Sequence, residues 1–127
     1  MATPDRPSTT RRVLVVDDDV DIRETLTLVL EDEGYAVASA ANGEEALAWL
    51  RTHDRPHVIL LDLMMPVMDG QEFRSEQRND PALAQIPVIV ITASGNAKER
   101  VRSMGVAGMI QKPLALDTLL TTVARVG

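Results

Sequence analysis

The stretch Val-Ile-Leu-Leu-Asp at positions 58–62 places an acid at the end of an uninterrupted apolar run. Such a run predicts a central strand of a parallel sheet, because a strand of this kind is covered on both faces. Asp62 then falls at the carboxyl end of that strand. Ligands of open α/β sheets bind at this edge, so Asp62 is a candidate functional residue.

Four more short apolar segments predict strands, and helical patterns lie between them. The predicted strands are 12–16, 35–40, 58–62, 87–92 and 107–111, and the predicted helices are 21–33, 43–53, 71–78, 96–104 and a last one from about 114. Strand and helix alternate throughout, which predicts an α/β fold built on a doubly wound parallel sheet.

Local signals set the helix ends and faces. Asn42 is a predicted N-cap, with Glu45 three residues later, and Gly34 is a predicted C-terminal stop. The third helix is unusually polar, and Phe73 is its clearest core residue. In the last helix we expect four buried side chains, which are Leu116, Leu119, Leu120 and Val123.

Length and composition favour one intracellular domain. The chain has 127 residues, 45% of them hydrophobic, which suits a single core at 12–127 preceded by a disordered tail at 1–11. The absence of Cys excludes disulfides and thiolate chemistry and fits a cytoplasmic location. No apolar run approaches a membrane span. A net charge of −6 argues against a nucleic-acid surface.

Polar residues follow several of the predicted strands. They are Asp17, Asp18 and Asp19 after the first, Asp62 after the third, Thr92 after the fourth and Lys112 after the fifth. Each has a simple structural interpretation taken alone, and Asp19 is equally suited to cap the next helix. A parallel sheet nevertheless brings all of these side chains to one edge, which favours a shared site.

The chemistry of that site follows from its charges. Crowded carboxylates repel one another unless they hold protons or a cation. A donor set of oxygens alone, without His or Cys, favours Mg²⁺. Lys112, one of only two lysines beside eleven arginines, adds a compact positive charge. These groups suit a phosphoryl group in transfer, which needs positioning and charge neutralisation.

The sequence resembles the receiver domains of two-component response regulators from about 12 to 126. The motifs that carry the resemblance are Val-Leu-Val-Val-Asp-Asp-Asp (13–19), Leu-Leu-Asp-Leu-Met-Met-Pro-Val-Met-Asp-Gly (60–70), Ile-Pro-Val-Ile-Val-Ile-Thr-Ala (86–93) and Gln-Lys-Pro (111–113). The resemblance implies a flavodoxin-like, five-stranded sheet of order 2-1-3-4-5 with helices on both faces.

The resemblance also implies the role of each residue. Asp62 is the phosphoacceptor, Asp17 and Asp18 join it in binding Mg²⁺, and the backbone carbonyl of Met64 completes the protein ligands. Thr92 contacts the phosphoryl oxygen and Lys112 pairs with it. The implied donor is a sensor histidine kinase or phosphotransfer protein. A downstream protein is expected on the face formed by the fourth helix, fifth strand and fifth helix.

Two positions depart from the family pattern at that output face. Met109 stands where the family usually has an aromatic residue that turns inward on activation, and Leu114 replaces a frequent aromatic after Lys-Pro. The rearrangement by which phosphorylation changes the output face is therefore left open. In the family, the positions of Met64 and Ser94 tune hydrolysis. Because Met64 cannot orient a water, we expect a long-lived phosphoryl state.

Three alternatives stay open. The domain is either a switch or an adaptor and phosphate sink, and it is either a single-domain regulator or a fragment of a larger regulator or hybrid kinase. A haloacid-dehalogenase-like phosphatase is the remote alternative, with Asp17 as nucleophile and Asp19 as acid–base. For His53 and His57 we expect structural roles.

Overall fold

The computed structural model describes residues 11–93 and 97–126. Among these residues five strands alternate with five helices. The strands are β1 (Arg12–Val16), β2 (Ala36–Ala40), β3 (Val58–Asp62), β4 (Val88–Thr92) and β5 (Gly108–Gln111), and the helices are α1 (Val20–Asp32), α2 (Gly43–Thr52), α3 (Gly70–Arg78), α4 (Lys98–Arg102) and α5 (Leu116–Val126). All four strand pairings are parallel and the order is β2-β1-β3-β4-β5. The predicted fold class and strand order are confirmed.

Helices cover both faces of the sheet, so alternate residues of the inner strands enter two separate apolar clusters. Leu14 and Val16 of β1 pack with side chains of α2, α3 and α4. Val13 and Val15 of the same strand pack with side chains of α1 and α5. Every residue of β3 and β4 is buried, as their continuous apolar sequences predict.

The predicted helix signals at 34 and 42 are confirmed. The Asn42 side chain accepts the Glu45 main-chain N–H at 2.9 Å, and Gly34, with φ of 98°, follows α1 in the left-handed region. α3 begins with a capping box in which Asp69 and Glu72 bond each other's main-chain N–H groups.

Burial differs from expectation for one apolar residue and for two polar residues. Leu116 is 44% exposed, so its predicted burial is wrong. Leu116 is the first residue of α5. The buried residues of this helix, Leu119 and Val123, lie further along it. In the polar helix α3, Arg74 and Gln77 are buried beside Phe73.

Several sequence predictions lie outside the described residues. They concern the tail over residues 1–10, the helix start at Asn96, and Ser94. The described part of the fourth predicted helix is shorter than expected, Lys98–Arg102. No helix in the described ranges has the length and apolarity needed to cross a membrane.

Gly70 lies against the end of β3 because the chain turns sharply there into α3. A Cβ added at this position would lie 2.7 Å from the carbonyl oxygen of Asp62 and 2.9 Å from Cα of Leu63. Both neighbours are main chain and cannot move aside separately. The absence of a side chain is therefore what allows α3 to begin directly behind Asp62.

We expect Gly70→Ala to lower the free energy of unfolding by about 1–3 kcal/mol, the usual range for overpacking, as measured by urea denaturation. The control is Gly108→Ala, whose added Cβ would meet its nearest neighbour at 3.4 Å, an ordinary contact. Equal stability of the two variants would contradict the close approach.

Candidate functional site

Three carboxylates converge at the carboxyl edge of the sheet. Asp17 and Asp18 follow β1 and Asp62 ends β3, and these strands are hydrogen-bonded neighbours. One carboxylate oxygen from each lies within 4.8 Å of the others. Asp17 and Asp62 are buried, with 2% and 5% of their surfaces exposed, whereas Asp18 is open to solvent. The sequence-predicted acidic cluster is thus assembled by adjacent strands.

Lys112 brings a positive charge to this cluster from the far side of β4. Its Nζ lies 3.5 Å from Oδ2 of Asp17 and 3.6 Å from Oδ1 of Asp62. Its main-chain N–H donates to the Thr92 carbonyl at 2.8 Å, which fixes the end of β5 beside β4. The bond from Lys112 to Pro113 is cis. One ammonium therefore faces two buried carboxylates.

The two remaining predicted site residues, Thr92 and Met64, flank the cluster. Thr92 ends β4 and is fully buried, in register with Gln111 of β5. Met64 lies two residues past Asp62 and is 60% exposed, and its main-chain N–H acts to lower the pKa of the Asp62 carboxyl. The predicted role of the Met64 carbonyl as a ligand stays a prediction.

Asp17 is held through several of its polar groups. Its N–H donates to the Ala40 carbonyl at 3.1 Å, and its Oδ1 accepts the Asp19 N–H at 2.9 Å. Its carbonyl accepts from Nη1 of Arg23 at 2.7 Å. Arg23 is not among the residues predicted for the site. Its one signal in the sequence is its place on the first turn of the helix that follows these acids.

Asp19 lies beside the cluster and is used by the fold. Its Oδ1 accepts the N–H groups of Asp21 at 2.9 Å and of Ile22 at 3.3 Å, which caps α1. Asp19, the acid–base residue of the phosphatase alternative, thus has a structural role at the start of α1.

The pKa of the Asp62 carboxyl is raised from 3.8 to about 6. Burial is the largest cause, because it penalises the charged form, and the nearby carboxylate of Asp17 acts in the same direction. Lys112 and the Met64 N–H oppose the rise. The site consequently carries more negative charge than its own cation neutralises, and a further cation would be stabilised there.

Residues away from the cluster have structural contacts. His53 stacks on Trp49 with ring centroids 4.4 Å apart, and Nδ1 of His57 accepts the Arg12 N–H at 3.0 Å, as expected of structural histidines. Met109 is half-buried on β5 against the cluster of α2, α3 and α4. Leu114 packs on the opposite face.

The chain belongs to the response regulator receiver domain family, whose model matches residues 13–124. Members of this family are not conventional enzymes. The response regulator MprA of Mycolicibacterium vanbaalenii is 40% identical over 111 residues, which cover 86% of this chain and 47% of that protein. MprA of Mycobacterium avium matches to the same extent. The chain thus spans about half the length of the curated relatives it matches.

Solved structures agree with this assignment. The chemotaxis response regulator CheY4 of Vibrio cholerae is 37% identical, with a TM-score of 0.86, over 94% of this chain and 100% of that one. The response regulator TrrA of Thermotoga maritima, solved in complex with Mg²⁺-BeF, is 31% identical, with a TM-score of 0.84, over 93% of this chain and 100% of that one.

The raised pKa of Asp62 predicts a pH-dependent stability in the absence of divalent cations. Between about pH 4 and pH 6 the folded protein keeps a proton on Asp62 that the unfolded chain has lost, so its free energy of unfolding falls as pH rises. In Asp62→Asn this contribution is absent. We expect the free energy of unfolding of the variant, relative to that of the wild type, to rise by up to about 3 kcal/mol between pH 4 and pH 8. Urea unfolding measures this difference. A difference that is constant with pH would contradict the raised pKa.

Proposed function

We propose that Asp62 accepts a phosphoryl group from a sensor histidine kinase or phosphotransfer protein. The observation that carries this proposal is the buried Asp62 carboxylate beside Asp17, Asp18 and Lys112, at an edge where β3 ends. Membership of the receiver family supports the same reaction.

The reaction is a transfer to a carboxylate oxygen. An Asp62 oxygen attacks phosphorus, the bond from phosphorus to the donor imidazole nitrogen breaks, and its electron pair returns to the imidazole. Only ionised Asp62 can attack, and with a pKa of about 6 in the metal-free site the carboxyl is mostly ionised at neutral pH. Lys112, within 3.6 Å of Asp62, stabilises negative charge that develops on the phosphoryl oxygens.

The three clustered carboxylates suit Mg²⁺, since they offer hard oxygen donors with no competing nitrogen or sulfur. Asp17, Asp18, Asp62 and the Met64 carbonyl would hold the ion. When bound, Mg²⁺ supplies positive charge to the phosphoryl oxygens during transfer. The TrrA structure with Mg²⁺-BeF, in a relative 31% identical, supports this assignment. Thr92 is assigned the contact with the phosphoryl oxygen.

The phosphorylated domain acts as a switch or adaptor in the cytoplasm. The surface of α4, β5 and α5 is the proposed contact for a downstream protein. Because Met109 offers no aromatic ring to rotate at the edge of β5, a phosphate sink with little conformational output is the second candidate. In either case the domain works alone or as one part of a longer regulator.

Incubation with acetyl phosphate and Mg²⁺ tests the acceptor directly. We expect intact-mass spectra to show one phosphoryl adduct on the wild type, stable in acid and labile in base, and none on Asp62→Asn. The matched control is Asp54→Asn, in which an acid with 87% of its side chain exposed is changed in the same way. An adduct that persists in Asp62→Asn would refute the assignment.

The exposed thioether of Met64 predicts a long-lived phosphoryl group. Thioether sulfur accepts hydrogen bonds only weakly and cannot orient an attacking water. We expect Met64→Asn to shorten the lifetime of the adduct several-fold, measured from its decay after the donor is removed.

The control for Met64→Asn is Val67→Asn, at an exposed position in the same loop whose φ of 69° suits Asn. It should decay at the wild-type rate. Equal decay in all three proteins would show that Met64 does not control the lifetime of the phosphoryl group.

A further inference from the structure

Two buried polar side chains of the described residues lie outside the acidic site. The buried polar or charged residues are Asp17, Asp62, Arg74, Gln77 and Thr92. Arg74 and Gln77 are both on α3, with 8% and 0% of their surfaces exposed. A buried guanidinium is rare unless its N–H groups are satisfied. The contacts of this pair therefore indicate what it holds in place.

Arg74 bonds two successive carbonyls of the turn at 103–107, which joins α4 to β5. Its Nε donates to the Met104 carbonyl at 2.9 Å and its Nη2 to the Gly105 carbonyl at 2.8 Å. Its Nη1 donates to Oε1 of Gln77 at 2.8 Å. Within the described residues, none of the ion pairs involves this guanidinium. Its partners are thus neutral groups.

Gln77 extends the network to the segment that joins α3 to β4. Its Nε2 donates to the Leu83 carbonyl at 2.9 Å and to the Ile86 carbonyl at 3.0 Å. Burial lowers the pKa of the Arg74 guanidinium, and the neighbouring Arg78 acts in the same direction. Apolar side chains would fill this space without that penalty. What the polar pair adds is a fixed position for two connecting segments relative to α3.

The N-terminal end of α3 lies directly against Asp62. The Gly70 N–H donates to the Leu63 carbonyl at 2.9 Å, and a Cβ at Gly70 would lie 2.7 Å from the Asp62 carbonyl oxygen. The nine-residue helix therefore contacts the backbone of Asp62 at its first residue and the turn at 103–107 through its fifth. Its internal hydrogen bonds make it stiff over this short distance.

α4 has few other attachments. It has five residues and no side-chain bond at its N-cap, and Val101 is its buried residue. Met104, which follows it, is anchored in the same apolar cluster as Val101. The position of α4 and of the start of β5 thus depends in part on what holds Met104 and Gly105. Arg74 bonds both carbonyls, and Arg78 of the same helix donates its Nη1 to the Met104 carbonyl at 3.3 Å.

We propose that Arg74 and Gln77 are positioning residues through which α3 couples the Asp62 loop to the turn between α4 and β5. A shift of the loop on phosphoryl transfer moves α3, and the Arg74 guanidinium carries the two carbonyls with it. This route reaches the surface of α4 and β5 without an aromatic side chain at position 109. The inference rests on the proposed function and specifies how a change at Asp62 reaches the surface of α4 and β5.

Hydrogen–deuterium exchange with and without Mg²⁺ and beryllofluoride tests the coupling. In the wild type we expect exchange to change both in the loop at 63–69 and in the turn at 103–107. Arg74→Met keeps the side-chain length and removes the donors. In this variant the change in exchange caused by Mg²⁺ and beryllofluoride should be kept at 63–69 and be about threefold or more smaller at 103–107. The control, Arg102→Met, removes an arginine whose side chain is 77% exposed on α4 and should respond like the wild type.

A conservative variant separates hydrogen bonding from packing. Arg74→Lys keeps a cation and donors near the two carbonyls, so it should recover part of the response at 103–107. Gln77→Met removes the acceptor of Nη1 but leaves the two carbonyl bonds in place, so it should reduce the response at 103–107 less than Arg74→Met does. If Arg74→Met is too unstable for exchange, Arg74→Lys carries the test, with a response at 103–107 below that of the wild type.

A response of wild-type size at 103–107 in Arg74→Met, or no response there in the wild type, would overturn the coupling. Acetyl phosphate labelling of the same proteins keeps the two proposals apart. A wild type that takes up no phosphoryl group would count against the proposed function. Normal labelling without a transmitted change would count against the coupling alone.

Discussion

Two buried carboxylates share one ammonium at the carboxyl edge of the sheet. Asp17 and Asp62 lie side by side because β1 and β3 pair in parallel, and Nζ of Lys112 reaches both, at 3.5 and 3.6 Å. Burial, and after it the neighbouring Asp17 carboxylate, raises the pKa of Asp62, and the excess of negative charge favours a cation among the carboxylates. In the proposed transfer, the incoming phosphoryl group would likewise depend on positive charge that the chain supplies only in part. The proposed acceptor chemistry and the proposed metal site therefore have a common physical origin.

The rest of the structure positions these charges. The continuous apolar strands β3 and β4 are buried on both faces, which holds their carboxyl ends rigidly in register. Gly70 lets α3 start directly behind Asp62. α3 contacts the backbone of Asp62 at its first residue and bonds the turn before β5 from its middle, through Arg74. Site and candidate output surface are thus linked by one stiff element.

The sequence predicted the sheet and the site for the same reason. Strand ends are marked by abrupt changes from apolar to charged residues, as at Leu61 and Asp62, and a parallel sheet collects such ends at one edge. The N-cap at Asn42 was predictable because its signal is local.

Other features depend on contacts between distant segments, and no local sequence pattern predicts them. Arg74 and Gln77 form part of a polar helix, and only the carbonyls of Met104, Gly105, Leu83 and Ile86 explain their burial. Leu116 has the apolar character of a core residue but lies at a helix start where little packs against it. The bond from Arg23 to the Asp17 carbonyl likewise follows from the approach of α1 to β1.

The three carboxylates are expected to bind Mg²⁺ as one site. Titration of Mg²⁺ at pH 8, followed by amide chemical shifts, measures this without any phosphodonor. We expect saturable shifts confined to residues 17–19 and 62–64, which are lost in Asp17→Asn. Shifts that are absent, or that spread over exposed acids such as Asp54 and survive in Asp17→Asn, would contradict this expectation.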